Sequence, residues 1–420
     1  MNEQIPLVNL KKKNKRKRIN TTEEEGLLND NNVNSNNVQY MERYRGKFES
    51  KTSFLKKIFY GISFSILGIG SIFIVLLLIK LFGFGSSSNG NVSIENYVDI
   101  VTKHSKVVNL NIKTGELLTP LLVERVVGTE SHKKVQEFIV NHFKGLQWEM
   151  EKDTFDAETP LGTKTFNNYI FTKNPLSERR IVLAAHYDSK YFKNEVFIGA
   201  TDSAAPCAIL MDIAESLNFA LENHQKKIER KEGKEGLKNS TTIQMIFFDG
   251  EEAFENWTNT DSIYGSRHLA EKWENEPINN SSTITKIKSI DVLVLLDLLG
   301  TKNPSFINFY KNSEKYFNSL SDIEIMLSNQ KLLSTSSNNN NSVFFSRSDA
   351  ITDSQKLFID DDHKPFLRKN VPILHIIPYP FPNVWHNAAD NADALDENTI
   401  RDLSLIFKLF VVQQLQLNNY

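Results

Sequence analysis

The sequence predicts an α/β protein, a three-layer sandwich in which helices flank a central, mostly parallel mixed sheet. A disordered tail and one transmembrane helix are expected to precede this domain. Short, continuously apolar runs rich in β-branched residues are typical of strands buried on both faces. Helix-like stretches alternate with these runs, which favours a layered α/β arrangement. An uncharged apolar segment near the N-terminus is long enough to cross a bilayer.

Four of the apolar runs are the candidate core strands. They cover residues 180–185, 242–248, 292–296 and 371–377. A stretch from Ser203 to Leu217 carries apolar residues at four-residue spacing, which predicts an amphipathic helix. The low-complexity segments 224–240 and 336–341 are expected to form surface loops.

The chain has 420 residues and divides into four regions by composition. Residues 1–57 are polar, basic and rich in asparagine, so we expect a disordered tail. Residues 58–79 carry no charged side chain, and a helix there would span about 33 Å. A buried soluble helix is the alternative, but such a helix rarely lacks every charge. Residues 80–94 are interpreted as a flexible linker, and residues 95–420 as the folded domain.

The charges around residues 58–79 predict the orientation of this segment. Six basic residues precede it, whereas only Lys80 follows it closely. They are Arg43, Arg45, Lys47, Lys51, Lys56 and Lys57. The positive-inside rule therefore predicts a cytosolic tail, a signal anchor and a lumenal domain, which is a single-pass type II arrangement. The segment lies too far from the N-terminus for a simple cleaved signal peptide.

Glycosylation sequons on the C-terminal side of the segment fit a lumenal, glycosylated domain. They begin at Asn91, Asn239, Asn256, Asn279, Asn280 and Asn340. The formal net charge of −2 gives no global attraction to nucleic acid. The basic run at residues 11–18 is either a solvated tail or, taken alone, a nuclear localisation signal. Because the predicted span places this run beside a membrane, we expect no nucleic-acid partner.

Each candidate strand leads into a cluster of ionisable residues. His186, Asp249–Glu252 and Asp297 directly follow the first three strands, and His386 follows the fourth at some distance. Open α/β sheets place ligands at the carboxyl ends of their strands. The sequence therefore predicts one shared site at this edge of the sheet.

The residue types at these strand ends indicate a metal. Histidine with carboxylates and no thiolate suits a catalytic zinc ion that keeps one open coordination position. A metal also separates the roles of Glu251 and Glu252, because one can coordinate while the other holds or releases a proton. A serine nucleophile has less support, since no Gly-x-Ser-x-Gly motif is present. The only cysteine, Cys207, is expected to be a core residue.

Seven motifs in this region resemble a known family in matching order, from about Leu121 to Val412. They are His186–Lys190, Gly199–Ala204, Phe247–Ala253, Tyr264–Leu269, Leu295–Leu298, Asp361–His363 and Phe381–His386. They look like the zinc aminopeptidase-type α/β fold and, more narrowly, like the glutaminyl-peptide cyclotransferases of animals. The Golgi-resident members of that family share a single N-terminal anchor.

The resemblance implies cyclisation of the N-terminal glutamine of peptides and proteins to pyroglutamate, with release of ammonia. It implies one zinc ion, held by Asp202, Glu252 and His386. It implies an acid/base residue with a hydrogen-bonded carboxylate network, formed by Glu251, Asp297 and Asp361. It implies an aromatic substrate pocket, formed by Trp257, Phe381 and Trp385, although ordinary packing is the alternative for the two tryptophans. It also implies a Golgi membrane location for the lumenal domain.

Two positions depart from the family pattern. Many relatives carry a cysteine at the position of Ala185, paired with a cysteine on the following helix, so Cys207 is expected to stay unpaired. Asp360 stands where glutamine is common, and its negative charge near the pocket mouth could change substrate preference or pH optimum. His375 is interpreted as a core histidine, and the role of His363 is left open.

A two-zinc aminopeptidase of the same fold is the main alternative. There, His186 and Asp297 would complete a second metal site, with Asp202 as the bridging ligand and Glu251 activating water. The ligand types fit both enzymes, and the tryptophans together with the Asp361–His363 segment favour the cyclase. A catalytically inactive binding module is a further alternative, but such modules usually lose ligands and none is missing here.

Overall fold

The computed structural model describes residues 94–103, 105–279, 282–335, 343–347 and 359–417. The predicted tail, transmembrane helix and most of the linker therefore lie outside the described residues, as does the predicted loop 336–341. In the described part, one helical stretch, Ala200–Asn239, is long and apolar enough to cross a membrane. Its apolar window is 83% buried inside the domain, as in the core helix of a globular protein.

A six-stranded sheet forms the centre of the domain. Its strands are β1 (Glu149–Thr159), β2 (Gly162–Thr172), β3 (Arg179–His186), β4 (Thr241–Phe248), β5 (Ile290–Leu296) and β6 (Ile373–Ile376). They are arranged in the order β1-β2-β4-β3-β5-β6. The four strands from β3 to β6 run parallel, whereas the β1–β2 hairpin joins β4 in antiparallel fashion. This arrangement confirms the predicted mixed sheet with a parallel core.

Helices cover both faces of the sheet. They are α1 (Ile94–Lys103), α2 (Glu130–Gly145), α3 (Ala205–Asn239), α4 (Tyr264–Asn275), α5 (Glu314–Asn329), α6 (His363–Arg368) and α7 (Glu397–Gln414). On one face, Leu183 and Val294 pack in a core with α1, α2, α3, α5 and α7. On the other face, Val182 and Leu293 pack with α4 and α6. Because successive residues of a strand point to opposite faces, a strand covered on both sides is apolar throughout.

The segment 224–240 was expected to be a loop, and this prediction was wrong. Helix α3 continues to Asn239, with one non-helical residue at Gly233. The segment is mostly exposed, as expected, but it is rich in lysine and glutamate, which are good helix formers. Glu222 and Lys226 also form an ion pair one helical turn apart, at 3.9 Å. Helix propensity therefore outweighs the charge density that suggested a loop.

Candidate active site and metal centre

The carboxyl ends of the parallel strands bring four ionisable residues to one edge of the sheet. His186 is the last residue of β3, Asp249 follows β4, Asp297 follows β5 and His375 lies in β6. All four side chains are buried. Burial of so many ionisable groups at one edge is typical of a functional site.

A tight turn before α3 carries Asp202 into this edge. The turn follows Gly199, whose backbone has a φ of 60°. A Cβ atom at Gly199 would lie 2.1 Å from the carbonyl oxygen of Asp202, so only glycine fits there. The carboxylate of Asp390 accepts hydrogen bonds from the amide and the hydroxyl of Thr201, at 2.8 and 3.0 Å. The turn is therefore held on both sides of Asp202.

A second turn, after β4, carries the two neighbouring glutamates. It is close-packed at Gly250, where a Cβ atom would lie 2.3 Å from the ring of Phe166. The Asp188 carboxylate, beyond the end of β3, accepts the amides of Glu251 and Glu252 at 3.1 and 3.2 Å. The ends of β3 and β4 are therefore tied together where the glutamates emerge.

His386 approaches from the loop after β6. Its backbone has a φ of 54°, a left-handed conformation that costs about 1–3 kcal/mol for residues other than glycine and is concentrated at functional sites. Its Nε2 atom lies 3.5 Å from Asp202 Oδ2 and 3.4 Å from Glu252 Oε1. The ring of Trp385 stacks on the imidazole with centroids 4.0 Å apart, which fixes its orientation.

Asp202, Glu252 and His386 fit a zinc ion. Each offers one ligand atom, and the three atoms lie within 4.8 Å of one another. Both Glu252 oxygens are buried without a well-aligned hydrogen bond in the described part of the chain. The His386 imidazole lies 3.4 Å from Glu252 Oε1. A buried carboxylate in this state is costly unless a cation balances it. One imidazole and two carboxylates with a free position form a ligand set that catalytic zinc favours.

A second group of ligand atoms overlaps the first. His186, Asp202 and Asp297 also place one atom each within 4.8 Å of one another. His186 Nε2 lies 3.0 Å from Asp202 Oδ1 and 3.4 Å from Asp297 Oδ1. However, Asp297 Oδ1 already accepts hydrogen bonds from the Ser203 hydroxyl at 2.5 Å and the Leu298 amide at 2.8 Å. That oxygen therefore already accepts two hydrogen bonds within the second group.

The two adjacent glutamates differ in proton affinity before any metal charge is counted. Burial, together with the charges of Glu252 and Asp361, raises the pKa of Glu251 well above its ordinary 4.5. Burial also raises the pKa of Glu252, but the charges of His386 and Lys190 outweigh it and lower that pKa to about 2. Before a metal is bound, Glu251 is therefore protonated more readily than Glu252.

Three residues that the sequence did not assign to the site contact predicted site residues. His375, interpreted as a core histidine, is buried in β6, and its Nε2 lies 2.7 Å from Asp361 Oδ2. Ser203 donates to Asp297. Lys190 is 9% exposed, with its Nζ 3.6 Å from Glu252 Oε2. Ser203 and Lys190 lie inside the quoted motifs, which was the available signal, whereas His375 offered none beyond its strand.

The acids Glu251, Asp297 and Asp361 gather at the site without direct hydrogen bonds to one another in the described part of the chain. Asp297 and Asp361 are paired instead with Ser203 and His375, as given above. His363, whose role was left open, is buried, and its Nε2 lies 2.6 Å from the Tyr310 hydroxyl.

The predicted pocket aromatics Trp257, Phe381 and Trp385 are half-buried. The rings of Phe381 and Trp385 meet edge to face, with centroids 5.2 Å apart. Trp257 lies in the loop after Glu252, and no ring contact within the described residues joins it to the other two. Their roles in substrate binding stay predictions.

Comparison with known proteins identifies the class first. The model of peptidase family M28 matches residues 168–411, which is more than half of the chain. The matched region contains Asp202, Glu251, Glu252, Asp297, Asp361 and His386. The chain therefore contains an M28-type domain.

The relatives then narrow this class. A glutaminyl-peptide cyclotransferase of Drosophila melanogaster is 42% identical over 305 residues, covering 71% of this chain and 80% of the relative. One of Dictyostelium discoideum is 43% identical over 327 residues, covering 71% and 83%. The crystal structure of Macrostomum lignano glutaminyl cyclase matches with a TM-score of 0.67 and 36% identity, covering 80% of this chain and 95% of that one. The chain belongs to the glutaminyl-peptide cyclotransferases, as the motifs predicted.

Proposed function

We propose that the domain cyclises the N-terminal glutamine of peptides and proteins to pyroglutamate and releases ammonia, which makes it an aminoacyltransferase. The observation that carries this proposal is a single buried turn that places Glu252 beside Asp202 and His386 and sets Glu251, whose pKa is raised, directly next to it. The identity to curated cyclotransferases supports the cyclase over the aminopeptidase alternative.

One zinc ion is proposed, with Asp202, Glu252 and His386 as its protein ligands. When bound, zinc supplies a Lewis acid for the γ-carboxamide oxygen of the substrate. A single ion is favoured because the Asp297 oxygen nearest His186 already accepts two hydrogen bonds.

Ring closure joins two groups of the same glutamine residue. The α-amine nitrogen forms a bond to the side-chain amide carbon, and the bond from that carbon to its amide nitrogen breaks. Proximity and orientation therefore contribute most, and the site must hold the side chain folded toward the amine. Glu251 takes the proton from the amine and gives it to the departing ammonia. A raised pKa suits a group that must both accept and return a proton.

Asp297 and Asp361 are proposed to share the proton load with Glu251. Asp361 is 2% exposed and Asp297 is 7% exposed, so both carboxylates are buried, as Glu251 is. Trp257, Phe381 and Trp385 are proposed to surround the glutamine side chain and exclude water, which would otherwise favour hydrolysis over cyclisation.

The test uses the full-length chain in detergent, a peptide that begins with glutamine and a matched peptide that begins with alanine. We expect only the glutamine peptide to lose the mass of one ammonia, in step with ammonia release. Chelation should stop the reaction, zinc should restore it, and Glu251→Gln should abolish it. Release of free amino acids from either peptide would instead identify an aminopeptidase.

The chain is also proposed to be a glycosylated, single-pass type II protein of the Golgi or another endomembrane, with its domain in the lumen. The uncharged segment 58–79 and the basic residues before it support this topology. Sequon residues Asn239 and Asn256 are exposed on the domain, where glycans can attach. Protease added to intact vesicles should cut the tail and spare a glycosidase-sensitive domain. Digestion of the domain in intact vesicles would contradict the topology.

A further inference from the structure

A fully buried arginine, Arg125, contacts the backbone of the turn that carries Asp202. Arg125 precedes α2 and lies outside the region that the family model matches. Its side chain has 0% exposure, and burial lowers the pKa of its guanidinium. Every hydrogen bond described for this guanidinium ends on a backbone carbonyl oxygen rather than on a carboxylate. This is an unusual use of a buried charge, since buried arginines are normally paired with acids.

The carbonyl groups around Arg125 come from three separate segments. One is its own loop, one is the chain just after β3, and one is the turn before α3. The distances run from 2.6 to 3.4 Å, and the acceptors are Leu121, Val123, Tyr187, Asp188, Ile198, Gly199 and Asp202. The backbone of Arg125 also exchanges hydrogen bonds with Ser189, at 2.8 and 3.3 Å. One side chain therefore joins the loops that carry Asp202 and the residues after His186.

The turn before α3 depends on this cation. The carbonyl groups of Gly199 and Asp202 both point to the guanidinium, at 3.0 and 3.2 Å. Buried carbonyl groups that converge in this way repel one another and cost free energy unless a donor satisfies them. Guanidinium is suited to the task, since its five N–H groups form a rigid planar fork that an ammonium group cannot reproduce.

We propose that Arg125 is a positioning residue that forms the Asp202 side of the metal site before the metal arrives. This rests on the proposed zinc site. By fixing the carbonyl groups of Gly199 and Asp202, Arg125 sets the backbone from which the Asp202 carboxylate extends. A ligand that is already in place loses less conformational freedom when the metal binds, so affinity rises. Arg125 touches neither substrate nor metal, and it acts only through the backbone.

The first test measures zinc affinity of the full-length protein by competition with a chromophoric chelator. Arg125→Lys keeps the charge but loses the fork, and we expect zinc to bind about 10–100-fold more weakly. Arg180→Lys is the matched control, because Arg180 is also a buried arginine, 4% exposed. It lies near the start of β3, whereas the site lies at the other end of that strand. Both variants should lower Tm, but only Arg125→Lys should weaken zinc binding at a temperature where all three proteins are folded.

Unchanged zinc affinity in Arg125→Lys would overturn the proposal, and so would an equal loss in Arg180→Lys, which would indicate a general stability effect. A wild-type protein that binds no zinc would instead contradict the proposed metal site, and the same titration reveals this separately.

A second measurement needs only the wild-type protein and decides the question if Arg125→Lys does not fold. Hydrogen exchange is followed by mass spectrometry with and without zinc. The amides of Ala200 and Thr201, both bonded to Asp390, report on the turn. We expect residues 198–202 and 187–189 to remain protected after zinc is removed, because Arg125 rather than the metal holds them. Loss of protection together with the metal would overturn the proposal.

Discussion

Buried carboxylates in this domain fall into two regions that differ in how they are satisfied. On the face of α5 and α7, Glu324 accepts the amides of Val343, Phe344 and Phe345 at 2.6 to 3.0 Å. At the carboxyl edge of the sheet, Glu252 is equally buried, yet neither of its oxygens has an aligned hydrogen bond in the described part of the chain. Backbone donors satisfy the first carboxylate, whereas the second has only the basic groups of Lys190 and His386 nearby, at 3.6 and 3.4 Å. Unsatisfied buried charge therefore marks where stability has been given up for function.

The largest expected effect comes from removing the unsatisfied charge. Glu252→Gln should lose zinc and lower kcat/KM by about 10³-fold, because a charged ligand is gone. The metal-free variant should also be less stable than metal-free wild type, because the charges of His386 and Lys190 favour the Glu252 anion in the folded state. Metal analysis, steady-state kinetics and urea unfolding after chelation test both parts. Glu255→Gln, on the exposed side of the same loop, is the control that should change neither.

At Glu324, the hydrogen-bonded carboxylate, substitution should change stability rather than zinc binding. Glu324→Gln should lower the free energy of unfolding by about 2–3 kcal/mol, since three amides lose a charged acceptor. Zinc affinity should not change, because the Glu324 carboxylate holds the backbone of residues 343–345 rather than a proposed zinc ligand. Glu314→Gln, exposed at the start of the same helix, controls for helix effects. Weakened zinc binding in Glu324→Gln would remove the distinction between the two regions.

The buried pair of His132 and Asp249 near the site is satisfied by a hydrogen bond, and its contribution to stability should depend on pH. Burial lowers the pKa of His132, but the charge of Asp249 and their 2.9 Å hydrogen bond outweigh it and raise the pKa above 6.5. The pair therefore contributes stability fully below pH 6.5, the unfolded-state value, and loses it as the pH rises through the higher folded-state pKa. The difference in unfolding free energy between wild type and His132→Asn should shrink as the pH increases. A difference independent of pH would show that folding does not shift the pKa of His132.

The smallest effect is expected at Asp360, where the carboxylate is half exposed and pairs with Lys364 at 3.0 Å. Asp360→Gln should change the free energy of unfolding by less than about 1 kcal/mol, because exposed pairs contribute little. It should raise KM for peptides with lysine after the glutamine relative to peptides with glutamate there. Equal KM changes for both peptides would exclude an electrostatic role at the pocket mouth.

The core of the fold was predictable because its strands are covered on both faces. The run 242–248 became β4, Thr241–Phe248, and the runs that became β3, β5 and β6 were placed within a few residues, whereas β1 and β2 were not predicted. Local patterning of this kind predicts where a strand or helix lies but not where it ends. The charged continuation of α3 was misread because charge density does not distinguish an exposed helix from an exposed loop.

The site was predictable only where its residues follow strands or lie in motifs. Asp202, Glu252 and His386 meet as the resemblance implied. Arg125 carries no such signal, since its function depends on carbonyl groups that three distant segments bring together in the fold. A side chain that acts on backbone atoms leaves no residue pattern at the positions it contacts.

The single cysteine, Cys207, bears on how the domain folds. Cys207 is buried and unpaired, its Sγ donates to the His186 carbonyl at 3.1 Å, and burial raises its pKa to about 12. A thiol in this state is almost never a thiolate at neutral pH, so it neither attacks disulfides nor is easily oxidised. The described domain therefore acquires its structure without an oxidative step, and its folding is independent of the redox balance of the compartment in which it is made.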